Sequence, residues 1–161
     1  MTEKYNPADF IEESLSTPVL GDYDVIVCGG GVAGVSAAVA ARRAGAKEVL
    51  LIEKTIVFGG LATIGLISLY EPLCDGEGRK LVYGMPSELL QLCRRYGPDN
   101  LPPAWEDDPA GIEGEERYQC HYSPTMFALA LDEFLTDAGV HILLDTQVVR
   151  PLMKERTCRG V

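Results

Sequence analysis

Asp24-Val25-Ile26-Val27-Cys28-Gly29-Gly30-Gly31-Val32-Ala33-Gly34 is the stretch that decides the fold of this chain. The short, continuous apolar run at 24–28 suits a strand buried on both faces, as in a parallel sheet. It passes directly into glycine-rich residues 29–34. An Ala-rich stretch then predicts a helix over 32–44, stopped by Gly45. A second apolar run, Val49-Leu50-Leu51-Ile52, ends in Glu53. Strand, turn, helix and strand within about thirty residues make a βαβ unit, with a right-handed crossover.

Residues 29–34 satisfy the spacing G-x-G-x-x-G, and each glycine has a physical task. Gly29 permits a tight turn out of the strand. Gly31, lacking a Cβ, lets the backbone approach a pyrophosphate, and Gly34 lets helix and strand pack closely. Unpaired N–H groups at the helix start, helped by the helix dipole, receive the phosphate charge. The hexapeptide alone is a weak signal; its place between a strand and a helix strengthens it. Glu53 lies about twenty residues on, where a carboxylate accepts hydrogen bonds from ribose hydroxyls. It would repel a 2′-phosphate, which disfavours NADP. FAD and NAD both remain open at this point.

The next stretch separates them. It reads Glu53-Lys54-Thr55-Ile56-Val57-Phe58-Gly59-Gly60-Leu61-Ala62-Thr63. FAD is long, and a second glycine-rich loop offers it N–H groups without side-chain clash. An NAD dehydrogenase usually needs no such loop. With its Asp-Val-x-Val-x-Gly-Gly-Gly-x-Ala-Gly opening, its Glu-Lys and its Gly-Gly-x-Ala-Thr loop, the chain resembles the FAD-dependent oxidoreductases. These are flavoproteins with a glutathione-reductase-like pair of dinucleotide folds. Glu71-Pro72-Leu73-Cys74-Asp75-Gly76 and Arg95-Tyr96-Gly97-Pro98-Asp99-Asn100 also resemble stretches in bacterial members. The resemblance runs over about 22–161.

The resemblance implies an α/β fold: a Rossmann-like FAD/NAD(P)-binding domain with a central parallel sheet, incomplete, and carrying an irregular insertion. It implies that Gly29, Gly31, Val32, Ala33 and Gly34 line the pyrophosphate, and that Glu53 holds the adenosine ribose with Lys54 beside it. Gly59, Gly60, Ala62 and Thr63 would approach the pyrophosphate or flavin side, and backbone at Val148 would meet adenine. The cofactor would be FAD. The substrate would be an unknown small organic molecule, exchanging a hydride or electrons with the flavin. Two alternatives stand beside this: a truncated nucleotide-fold fragment without flavin or activity, and an NAD-binding module.

Outward from these motifs, 1–21 reads as a leader arm, with a short helical turn at Asp9-Phe10-Ile11-Glu12-Glu13. The rest, 22–161, reads as one domain with a loop-rich insertion at 65–120. Over 55–85 we expect loops and one short strand. A helix follows over 86–96, burying Leu89, Cys93 and Tyr96. Then comes a proline-rich, acidic surface excursion over 97–117. Ser123-Pro124 starts another helix, with Phe127, Leu131 and Phe134 as its buried stripe and Gly139 as its end. Strands are expected at 140–144 and 148–153. Residues 158–161 read as the middle of a β-rich segment. The length of 161 residues is taken as that of an amino-terminal portion of an enzyme whose remainder is missing.

A formal net charge of −10 argues against nucleic acid, whose binding rests on Lys and Arg at phosphates, and against an anionic membrane surface. The start shows no basic n-region with an apolar h-region, and apolar stretches fall short of membrane length. Five cysteines without a CxxC disfavour a disulfide framework or structural zinc, and suit a reducing compartment. The reading is a soluble, cytoplasmic protein without a metal. Self-association is expected through edges exposed by truncation.

Cys28 is expected as inert packing in a buried strand, and Cys74 as a loop thiol near the flavin side. Cys120 and His121 are adjacent and so point to opposite faces, which disfavours a shared metal. The acidic residues Glu106, Asp107, Asp108, Glu113, Glu115 and Glu116 read as a solvated loop. No residue of this chain is identified as a general base.

Overall fold

The computed structural model describes residues 13–77, 79–98, 101 and 118–161. The acidic set at 106–116 and the leader turn at 9–12 lie outside the described residues. Strands β1 (Val25–Cys28) and β2 (Val49–Ile52) flank helix α1 (Val32–Arg43), so the βαβ unit forms where the apolar runs predict it. A short 3-10 turn at Gly60–Ala62 is followed by β3 (Leu69–Tyr70), α2 (Met85–Arg95), β4 (Cys120–His121) and α3 (Pro124–Asp137). Last come β5 (His141–Leu143), β6 (Leu152–Lys154) and β7 (Thr157–Gly160).

The main sheet has three parallel strands in the order β1-β2-β5. Val25 stands opposite Val49, and Leu50 opposite His141. Position in this sheet separates two similar sequences. The central strand β2 is buried at all four residues. β1 is partnered on one side among the described residues; Val25, Ile26 and Val27 are half-buried and Cys28 is exposed. Double-sided burial therefore belongs to β2, and Cys28 is not the packed residue expected of it.

Helix α1 ends at Gly45, whose φ of 103° and N–H bond to the Arg42 carbonyl stop it. Arg42 then ties the ends of two helices together: its Nε donates to the Ala138 carbonyl at 2.9 Å. In α3, Ser123 Oγ accepts from Met126 N–H as an N-cap. Phe127, Ala130, Leu131 and Leu135 are buried there. The stripe thus follows i, i+4 and i+8. Phe134 sits partly outside it, under the guanidinium of Arg43 at 5.5 Å.

Two clusters of buried side chains share α2. Leu89, Leu92 and Cys93 join α1, α3 and the sheet in the main core. Leu90, one residue round the helix, joins Leu73, Cys74, Val82, Leu101 and Cys120 in a second core. Tyr96 lies beyond the helix and is exposed. The stretch expected to be loops therefore has an interior, to which Leu101 also belongs; of the surface excursion expected over 97–117, residues 99–100 and 102–117 lie outside the described residues. β3 and β4 pair antiparallel across its mouth.

The strand expected at 148–153 starts later. Pro151 has no N–H to offer a ladder, and the chain turns at Glu155, with φ 54°. β6 and β7 form that hairpin instead. Among the described residues no helix is long and apolar enough to cross a membrane.

Candidate dinucleotide site

The turn after β1 is built by close approach. Gly29 N–H donates to the Ile52 carbonyl at 2.7 Å, which hands the end of β1 to β2. A Cβ at position 34 would lie 1.8 Å from the Gly29 carbonyl oxygen. Only glycine lets α1 start directly over the turn. Gly31 differs: a Cβ there would meet nothing within 4 Å. It is the N-cap of α1, it makes no side-chain cap, and no acidic residue occupies the first turn. The N–H groups of Val32, Ala33 and Gly34 have no carbonyl of their own helix to reach. The helix N-terminus therefore faces open space with donors and positive dipole unspent.

The second glycine loop is zipped to the first. Gly59 N–H donates to the Gly30 carbonyl at 2.8 Å, and Gly31 and Gly59 form a parallel bridge. Gly59 has a φ of 103°, and a Cβ on it would lie 2.4 Å from Thr63 Cγ2. Thr63 is buried and its hydroxyl donates to the Phe58 carbonyl at 2.6 Å. Phe58 in turn floors Gly30, where a Cβ would lie 2.6 Å from its ring. Thr63 thus braces the loop from inside.

Glu53 is 8% exposed, and its carboxylate points into the glycine turn. Oε2 accepts from Gly30 N–H at 2.5 Å. Oε1 accepts from Thr55 N–H at 2.8 Å and from the Thr55 hydroxyl at 2.9 Å. Burial pushes this carboxyl upward. The hydrogen bonds from Gly30 and Thr55, with Lys54 nearby, outweigh burial and hold it below the ordinary carboxylate range. Lys54 itself is exposed. Val148 is half-buried on irregular chain. Its segment runs beside Glu53, because Thr146 N–H donates to the Glu53 carbonyl and Asp145 N–H to the Thr55 carbonyl.

From the α1 N-terminus a cleft of about 480 Å³ leads away between the two loops. Gly31, Val32, Ala33, Gly59 and Ala62 line its near end; Leu61, Ile67, Leu69, Tyr70, Glu71, Leu89, Tyr122 and Phe127 line the remainder. Of the residues chosen from sequence, five face this space. Gly29 and Gly34 shape the turn below it, and Gly60 lies behind Gly31, where a Cβ would come within 3.4 Å of the Gly31 Cα. Sequence reasoning missed Tyr122. Its hydroxyl donates to the Ile67 carbonyl at 2.5 Å, and burial pushes its pKa up to about 12. A signal existed: Tyr122 precedes the Ser123 cap, and Phe127 is four residues inside the helix, the spacing of a hydrophobic staple. Their rings meet edge to face at 5.1 Å.

Residues 24–161 match the family described as FAD dependent oxidoreductase. The chain belongs to the FAD-dependent oxidoreductase family. A fumarate reductase (cytochrome) of Shewanella frigidimarina is 34% identical over 117 residues, 73% of this chain and 19% of that protein. The chain thus matches about a fifth of that relative's length. Among solved structures, L-proline dehydrogenase from P. horikoshii aligns with a TM-score of 0.54 at 16% identity, covering 86% of this chain and 48% of that one. L-amino acid deaminase from Proteus vulgaris aligns at 0.52 and 12%, covering 91% and 45%. At such identities these two show the fold. The family's cofactor is FAD, and the residues present fit it. An uncapped helix N-terminus lies open beside Gly31, a second glycine loop is clasped alongside, and a largely apolar cleft continues from both.

Proposed function

We propose that this chain is the part of a flavin-dependent oxidoreductase that grips the adenosine diphosphate half of FAD and starts the path of its flavin half. One observation carries the reading. The bridge between Gly31 and Gly59 sets one bare glycine of each loop side by side at the N-terminus of α1. In this reading Gly31, Val32 and Ala33 bring main-chain N–H groups to the pyrophosphate. Gly29 and Gly34 keep the turn tight beneath it. Glu53 accepts from the adenosine ribose, with Lys54 adding positive charge. Backbone near Val148 borders adenine; support comes from the hydrogen bonds that lay 145–146 along 53–55.

Gly59, Gly60 and Ala62 carry the approach toward the flavin, and Thr63 holds their loop in shape. The apolar cleft walls exclude water from whatever lies between them. FAD, when bound, supplies hydride or electron transfer with a small organic substrate. The visible absorption spectrum of the purified protein tests the assignment. Flavin bands, or their appearance after FAD is added and excess removed, are the expected result. A protein that stays colourless with FAD and binds NAD instead overturns it.

A further inference from the structure

Glu53 has more partners than a ribose ligand requires, and most come from one residue. A carboxylate offers about four acceptor sites over its two oxygens. Thr55 directs two donors at Oε1, its N–H at 2.8 Å and its hydroxyl at 2.9 Å. Gly30 N–H takes one site on Oε2. The Thr55 hydroxyl lies equally near the Val57 carbonyl, at 2.9 Å. It carries one proton, and an ionised carboxylate is the stronger acceptor of the two. The main chain of Thr55 is itself fixed, since its carbonyl accepts from Asp145 N–H at 3.0 Å.

We propose that Thr55 is a positioning residue for the nucleotide site: it occupies Glu53 Oε1 with its N–H and hydroxyl, so that Oε2 is the oxygen shared between the glycine turn and a ribose hydroxyl. The part concerning ribose rests on the function proposed above. The chemistry is that of any ribonucleotide whose ribose reaches Glu53. When Glu53 is ionised, one anchored oxygen keeps the other aimed at Gly30. Without the hydroxyl, the carboxylate loses a donor while still buried, and its neutral form gains. The charged neighbours are Lys54, which favours the ionised form, and Asp145 on the adjoining segment, which is exposed. The Gly30 turn contributes no side-chain charge.

The test is a carbon-detected NMR titration of the Glu53 carboxyl in wild type, T55V and T55S, paired with FAD affinity from flavin fluorescence quenching. T55V keeps the shape and the N–H but removes the hydroxyl; T55S returns it. The Glu53 midpoint is expected to move to higher pH in T55V and to return in T55S. FAD binding is expected to weaken about tenfold in T55V and recover in T55S. An unmoved midpoint in T55V, or no recovery in T55S, overturns the proposal. A purely structural Thr55 would alter the thermal midpoint alone. If the Glu53 midpoint moves as expected but wild type binds no FAD, the Thr55–Glu53 coupling stands and the FAD reading falls.

Discussion

Around Gly31 and Gly59 the chain is held by main-chain hydrogen bonds and braced from beneath by Glu53, Phe58 and Thr63, with bare glycines on the open side, whereas between β3 and β4 it is filled by packed side chains. The first region keeps its surface bare: Gly59 donates to Gly30, Glu53 reaches back to the same residue, and the cleft opens beside them. The second packs Leu73, Cys74, Val82, Leu90, Leu101 and Cys120 against one another and includes none of the glycines that form the site. A region proposed to take a ligand spends glycine on empty space. A region that carries the β3–β4 ribbon fills its space. Substitutions should therefore separate cleanly into those that act on binding and those that act on stability.

The largest effect is expected where the two rules meet, at Gly34. A Cβ there would overlap the Gly29 carbonyl oxygen at 1.8 Å. Gly34→Val should lower unfolding free energy by about 4 kcal/mol or more, or prevent folding. Urea denaturation reading within about 1 kcal/mol of wild type would break the account of the turn. Next comes Leu90→Ala in the second core, expected to cost about 2–5 kcal/mol. The fraction that remains folded should keep wild-type FAD affinity. A loss of affinity equal to the loss of stability would show that the two regions are one.

Those two residues also mark how far the sequence could be read. The βαβ unit was legible because strand, glycine turn, helix and acidic residue each leave a local pattern, and Gly34 could be assigned its task from spacing alone. Leu90 could not. Its partners Leu73, Leu101 and Cys120 are distant in the chain, set among prolines and glycines that read as surface. Edge position was equally hidden, since Val-Ile-Val-Cys and Val-Leu-Leu-Ile look alike until the sheet order is known. Position 53 was singled out by motif. Its grip on Gly30 and Thr55 was not, because the motif names a ribose and says nothing of the turn.

A smaller effect is expected at Glu53, which belongs to the bare region yet is itself buried. Glu53→Gln should cost about 1–3 kcal/mol of stability at neutral pH, the range for hydrogen bonds to a charged group. The folded carboxyl titrates below its ordinary value of 4.5. Its contribution is thus complete above about pH 4.5 and is lost as pH falls through the lower folded value. Stability measured against pH should fall on the acid side in wild type and less steeply in the Gln variant. Parallel curves would remove Glu53 from the turn.

The smallest change in stability is expected at Gly31, together with the greatest change in binding. Its φ of −64° suits any residue, and a Cβ there meets no protein atom. Gly31→Val should lower stability by about 1 kcal/mol, because Val caps a helix less well than Gly, while filling the space proposed for a pyrophosphate. The decisive measurement is FAD titration of wild type and Gly31→Val by flavin fluorescence, each with its thermal midpoint. Saturable binding in wild type, lost in the variant at a midpoint lowered by only about 2–4 °C, is the predicted result. Equal FAD affinity in the two proteins would contradict the assignment of the α1 N-terminus as the pyrophosphate site.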